Sequence, residues 1–330
     1  MIRITSPEAY STVPIQTSVQ KQFLDTDRST VEDASSYAWL SLEFKTQRDR
    51  SIGAGTMVTW KPQCAATVEI SETEDFSAPV TLSGDGECFL SFLKIATRYY
   101  VRVRTADECS DTLTFTTEDR APRFLTVEGA TNVRDCGGWK TVDGHRVRQG
   151  LLYRGSEIGG RVNATENGLY MLRDILGVRS VLDLRGPTAQ PKDPLGSEYY
   201  LNVPFSAYNN GIYATGIMRE VFAFLADKRH YPMFFHCLGG ADRTGTVAFL
   251  VDALLGVPLD DLMDDFEITT MSLWGVRSRN SQSFRDLLGA LAPYGGEDLR
   301  ERVTNYLLYV GVTQEEIDAI KEIFLEDIEV

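Results

Sequence analysis

Short runs in which apolar and polar residues alternate fill the first third of the chain, and a mixed rhythm replaces them afterwards. Between Ser36 and Thr117 the runs Tyr37 to Phe44, Gly55 to Trp60, Ala66 to Ile70, Glu87 to Leu93, Tyr99 to Thr105 and Thr112 to Thr117 are separated by turn residues. That spacing is the period-two signature of half-buried strands, and so many short strands in sequence predict an all-β sandwich over residues 35–118. Residues 1–34 are rich in Ser and Thr without a clear period and read as an N-terminal extension. Residues 119–123 read as a linker. From Phe124 onward a strand near Leu151 to Arg154, a helix near Asn163 to Leu176, an apolar strand Ser180 to Leu184, a helix near Thr215 to Lys228 and the apolar run Tyr231 to His236 follow one another. Strands alternating with helices predict an α/β domain over 124–330, with a mostly parallel sheet flanked by helices. Helices dominate after Arg243.

Composition narrows the function. The 330 residues carry a net charge of −14, which repels nucleic acid and anionic membrane as bulk partners. The longest apolar stretch, Val247 to Leu259, is too short to cross a bilayer and contains Asp252. Five cysteines, none in a paired Cys-x-x-Cys spacing, give no zinc pattern, and no metal or other cofactor is expected.

The chemistry lies in His236-Cys237-Leu238-Gly239-Gly240-Ala241-Asp242-Arg243-Thr244-Gly245. A cysteine six positions before an arginine is common by chance, but the fuller pattern His-Cys-x-x-Gly-x-x-Arg-Thr-Gly is not. A loop between a strand and a helix can turn its backbone N–H groups inward as an anion cradle, and the helix start adds positive potential. Leu238, Gly239, Gly240 and Ala241 supply that backbone, with glycine allowing close approach. The same field favours the thiolate of Cys237, the nucleophile. Arg243 offers a planar, permanently charged fork for two phosphoryl oxygens. Thr244 is expected to hydrogen-bond the thiolate, and His236 to orient the loop.

This loop resembles the signature of the cysteine-dependent protein tyrosine phosphatases, and its Asp-Arg-Thr-Gly ending resembles the bacterial tyrosine/lipid phosphatase type. Asn132-Val133-Arg134-Asp135-Cys136-Gly137-Gly138, Leu152-Tyr153-Arg154-Gly155-Ser156, Val181-Leu182-Asp183-Leu184-Arg185 and the stretch from Gly311 to Ile317 are similar to other segments of that family. The strand pair from Thr97 to Thr105 and Asp111 to Thr117, with Trp60, resembles a fibronectin type III domain. The resemblance implies hydrolysis of a phosphate monoester through a phosphocysteine, phosphotyrosine being the expected substrate and an inositol phosphate or phosphoinositide the alternative. A phospholigand-binding or adhesion protein with a vestigial catalytic domain is the contrasting class. The sandwich would bind protein or carbohydrate, and the compartment stays open with a lean to the bacterial envelope.

Two departures bear on the chemistry. Ala241 stands where the family often has Lys, and no Trp-Pro-Asp segment is present to carry the general acid. The acid is therefore Asp242 by resemblance, or else Asp183 at the carboxyl end of a parallel strand, where such sheets place their crevice. Arg154 and Arg185 are candidates to widen the anion site. Arg134 and Asp135 read as a structural pair anchoring the turn at Gly137.

Overall fold

The computed structural model describes residues 1–31 and 49–328, so the expected strand Tyr37 to Phe44 lies outside the described residues. The chain forms two compact units, Met1–Thr17 with Gly53–Arg123, and Ser18–Ile52 with Phe124–Val330.

The first unit is built from two sheets. Strands β1 (Arg3–Ser6), β3 (Thr56–Lys61) and β6 (Glu87–Leu90) form one, in the order β1-β3-β6. Strands β2 (Thr12–Val13), β4 (Ala65–Ser71), β5 (Val80–Asp85), β7 (Arg98–Arg104) and β8 (Leu113–Thr117) form the other, in the order β2-β8-β7-β4-β5. All pairs are antiparallel except β2 with β8. Alternation is the reason these segments form strands: Val58 and Trp60 on β3, Val68 and Ile70 on β4, Val101 and Val103 on β7 and Phe115 on β8 are buried, with polar or less buried neighbours between them. Strand β5 was not expected, because its residues alternate only between exposed and half-buried.

The expected boundaries change. Residues 1–34 are no simple extension, since Met1–Thr17 supplies β1 and β2 and buries Ile2, Val13 and Ile15 in the first unit. Ser18–Ile52 belongs to the second unit, where the helix Ser18–Asp25 places Phe23, together with Val31, in a cluster with Phe124, Ile268 and Met271. The buried Arg28 Nε also donates to Glu267 at 3.0 Å.

The second unit carries the sheet β14-β13-β15-β12-β10-β9, made of β9 (Arg123–Phe124), β10 (Arg134–Asp135), β12 (Leu152–Gly155), β13 (Ser180–Asp183), β14 (Tyr199–Asn202) and β15 (Met233–His236). The four strands β14, β13, β15 and β12 are parallel, as the alternation of strands and helices predicts. Strand β10 runs antiparallel to β12, so the sheet as a whole is mixed. Strand β11 (His145–Val147), after the tight turn at Gly144, closes a hairpin through the antiparallel bridge of Lys140 with Arg146 and also pairs with β16 (Leu325–Asp327). The strand β15 is buried at all four positions between β13 and β12, the reason it reads as an unbroken apolar run. The helix Asp242–Leu255 that follows is buried from Thr244 to Leu255, while its first two residues stay partly exposed. Asp183 and Gly155 are the register partners of His236, which brings three strand ends to the point where the loop from Cys237 to Ala241 begins.

Candidate active site

The loop leaves β15 at Cys237, which is 3% exposed, and enters the helix at Asp242. Gly240 has φ +64°, and a Cβ there would lie 2.3 Å from the Gly155 carbonyl carbon, so only glycine fits. A Cβ on Gly239 would lie 2.5 Å from the indole of Trp274, which packs directly on the loop.

Each loop carbonyl from Cys237 to Ala241 has a partner. His236 Nδ1 lies 3.2 Å from the Cys237 oxygen. The Glu157 amide donates to Leu238 O at 3.1 Å and the Gly245 amide to Ala241 O at 2.9 Å. Asn132 Nδ2 donates to Gly239 O at 3.2 Å and to Gly240 O at 3.0 Å, and Arg154 Nη2 also reaches Gly240 O at 2.9 Å. In a trans peptide the C=O and the next N–H point opposite ways. Holding the carbonyls back therefore aims the amides of Leu238 to Asp242 the other way, and among the described residues those amides make no hydrogen bond. The result is a concavity of backbone donors at a helix start, an anion cradle.

Arg243 is half-buried, and a single donor, Nη1, is committed, to Leu184 O at 3.3 Å; the rest of the fork is open to a phosphoryl group. Thr244 Oγ1 is buried without a hydrogen-bond partner, so the expected bond to the Cys237 sulfur is not formed. Burial pushes the His236 imidazole below its usual pKa, with the nearby Asp183 charge only partly opposing. A neutral ring can donate from Nδ1 to the Cys237 carbonyl, which is an orienting role.

The other expected site residues separate into distinct roles. Arg154 is buried, with its two Nη groups committed to Gly240 O and to Asp265 Oδ2 at 2.5 Å and its Nε without a partner, so it holds the loop. Arg185 donates to Asp183 at 2.6 Å, Glu157 at 2.7 Å and Gly159 O at 2.8 Å; it is a fully buried brace, not an open phosphate ligand. Asp183 is 0% exposed and receives Arg185 and, at 3.0 Å, the Tyr200 hydroxyl. Burial raises its carboxyl, but the Arg185 hydrogen bonds and the neighbouring positive charges more than offset this and leave it below the usual carboxylate range. A proton donor needs the opposite shift.

Asp242 is accessible by contrast, its side chain 41% exposed. Both of its oxygens accept from Arg277, at 2.8 and 3.0 Å, and the Tyr208 hydroxyl donates to Oδ1. Burial and the Asp242 charge push the Tyr208 phenol upward, so that hydroxyl stays a donor.

A model of the tyrosine phosphatase family matches residues 125–326. The chain belongs to that family, one of cysteine-dependent phosphatases. A Cupriavidus necator protein that bears the name of a tyrosine-protein phosphatase is 30% identical over 184 residues, which cover 44% of this chain and 66% of that protein. This chain thus spans just under two thirds of that relative. A solved structure, the core catalytic domain of the PP-IP phosphatase Siw14 of S. cerevisiae with citrate, is 18% identical, with a TM-score of 0.29 over 36% of this chain and 70% of that one. A likeness at that level says nothing about substrate.

Several contacts in this tyrosine phosphatase family member escape sequence reading. Asn132, in the left-handed region at φ +60°, also accepts from Arg134 Nη1 at 2.6 Å, and its amide donates to Ser51 Oγ at 2.7 Å. Arg134 pairs with Asp265 at 2.7 Å, so the expected pairing with Asp135 is corrected. Asp135 does anchor the turn, accepting from the amides of Gly137 at 2.8 Å and Gly150 at 2.7 Å. Burial raises the Asp265 carboxyl, yet the charges of Arg134 and Arg154 more than offset it and hold it ionised. Asp265, Tyr208, Trp274 and Arg277 lie far from the loop in sequence, and nothing local marks them.

Proposed function

We propose that the chain hydrolyses phosphate monoesters, phosphotyrosine first among them, through a phosphocysteine on Cys237. The Cys237 thiolate attacks phosphorus, the ester P–O bond breaks, and the departing oxygen takes a proton from Asp242. Water then attacks the phosphocysteine, gives its proton to Asp242, and phosphate leaves with the thiolate restored. Arg243 and the loop amides hold the equatorial oxygens throughout, stabilising charge that spreads over them in the transition state. The observation that carries this reading is the loop's backbone polarity, with carbonyls bound behind and amides unpaired in front. Asp242 is favoured as the acid because it is exposed at the loop's end, whereas Asp183 is buried in an ion pair. To donate, Asp242 must release one oxygen from Arg277, which the arrival of a phosphoryl group beside the loop would promote by competing for nearby cations.

The first unit we read as a fibronectin type III-like sandwich spanning β1 to β8. Its sheet order supports this, as does the Tyr99 hydroxyl at the start of β7, which accepts the Lys94 amide at 2.8 Å in the manner of a tyrosine corner. The deciding experiment is turnover of an aryl phosphate in excess chelator by the wild type and by Cys237→Ser. Wild-type turnover that vanishes in the variant is expected; full activity of Cys237→Ser would sink the proposal.

A further inference from the structure

Beside the loop lies a cavity of about 500 Å³ whose lining includes Leu238 and Arg243 of the loop, and Arg161, Arg185 and Lys192 from neighbouring segments. One carboxylate, Glu157, lines it as well. Glu157 is already neutralised: Oε2 accepts from Arg185 at 2.7 Å, and Oε1 from the amides of Arg161 at 2.5 Å and Val162 at 2.9 Å. Arg185 is likewise spent between Glu157 and Asp183. The side chains of Arg161 and Lys192 make no hydrogen bond or ion pair among the described residues. Two uncommitted cations therefore face the same space as the phosphate clamp Arg243, in a chain whose net charge is −14.

Their positions are built in. Arg185 donates to Gly159 O at 2.8 Å and to Lys192 O at 3.4 Å, so one buried guanidinium braces both edges of the cavity. The Glu157 carboxylate pins the backbone of Arg161 from below. Like charges collected without counter-charge repel one another, and a multiply charged anion relieves that repulsion. The space also exceeds what one phosphoryl group in the loop requires.

We infer that this cavity is a second anion subsite, and that the substrates it selects are phosphate esters carrying another phosphate group, held by Arg161 and Lys192 while the first sits in the loop. The inference rests on the phosphatase reading above and deepens it. The second phosphate could belong to a small polyol or to a doubly phosphorylated peptide, and the assay separates these sources.

In the Cys237→Ser protein, calorimetric titration with an inositol bisphosphate and an inositol monophosphate, and with doubly and singly phosphorylated tyrosine peptides, measures the preference without turnover. One added charge-assisted contact corresponds to about tenfold in affinity, so at least one bisphosphate should bind about tenfold or more tightly than its monophosphate partner. Which pair shows the preference identifies the source. Adding Arg161→Ala with Lys192→Ala should erase it, Arg161→Lys should retain most of it, and Lys228→Ala, a charge change outside the cavity lining, gives the size of a general charge effect. In the active enzyme the ratio of kcat/KM for bisphosphate over monophosphate should fall about as far in the double variant. Equal affinities in every pair, or a preference that survives the double variant with its thermal midpoint unchanged, would overturn the inference. Selective binding without any wild-type turnover would instead remove the proposed activity and leave the subsite standing.

Discussion

Replacing Asn132 tests whether the cradle depends on the outward pull on its carbonyls. The side chain is fully buried and makes three hydrogen bonds, to Gly239 O at 3.2 Å, to Gly240 O at 3.0 Å and from Arg134 Nη1 at 2.6 Å. In Asn132→Gly the Gly240 oxygen keeps Arg154, but Gly239 O loses its side-chain partner and Arg134 loses a strong acceptor. A buried polar group left unmatched costs about 1–3 kcal/mol, so about 2–4 kcal/mol of stability should go. Asn132→Ala adds a left-handed backbone strain of about 1–2 kcal/mol, because φ is +60°. Both variants should share one kinetic defect. Once Gly239 O is released, the Gly239–Gly240 peptide can rotate and withdraw the Gly240 amide from the cradle, and one lost transition-state donor costs about 10²–10³ in kcat. Urea unfolding measures the first effect and steady-state turnover of an aryl phosphate, well below the unfolding range, measures the second. A kcat within about twofold of wild type in both variants, alongside the stability loss, would show that Asn132 only supports the fold and would refute the carbonyl-anchoring account.

Asp242→Asn should lower kcat by about 10²–10⁴ in steady-state turnover of an aryl phosphate, the usual worth of a general acid. Asp183→Asn should instead destabilise the fold by about 3–5 kcal/mol, since it strands the buried Arg185, while turnover per folded molecule changes little; the reverse pattern would move the acid to Asp183. Asp261 has its pKa raised to about 6, by burial first and then by the charges of Asp264 and Asp260. Because the folded value lies above the unfolded one, the ionised side chain opposes folding at neutral pH and the penalty fades as pH falls through about 6 toward the unfolded pKa near 3.8. Asp261→Asn should then stabilise at pH 7.5 by about 1 kcal/mol, discounted for solvent screening, and by nothing below the unfolded pKa; a gain independent of pH in urea titrations would contradict this.

The loop from Cys237 to Ala241 and the strands around it were legible because their signals are local. An apolar run, two glycines and a helix start stand next to one another from Tyr231 to Leu255, and each constrains its own neighbours. The roles of the flanking charges were not legible. Arg154 and Arg185 sit at strand ends where an open anion site would place them, yet the fold surrounds them with Asp265, Gly240, Glu157 and Asp183, which take up the Nη groups of both. An arginine next to the loop in space looks the same in sequence whether it faces a ligand or a buried carboxylate. The boundary near residue 35 failed for a similar reason: the apolar positions Ile2, Val13 and Phe23 are too sparse to show a period, and only long-range contacts divide them between the two units.

The sequence by itself determined the strand, the short glycine-bearing turn and the helix that set Cys237 and Arg243 side by side, because those local signals dictate the geometry within a dozen residues. Tertiary structure alone decided which way the loop's peptides face, which carboxylate remains accessible and where unpaired positive charge gathers. Those properties arise from Asn132, Asp265, Arg277, Arg161 and Lys192, residues that meet the loop only when distant segments pack, and whose charge is free or cancelled according to what lies beside it.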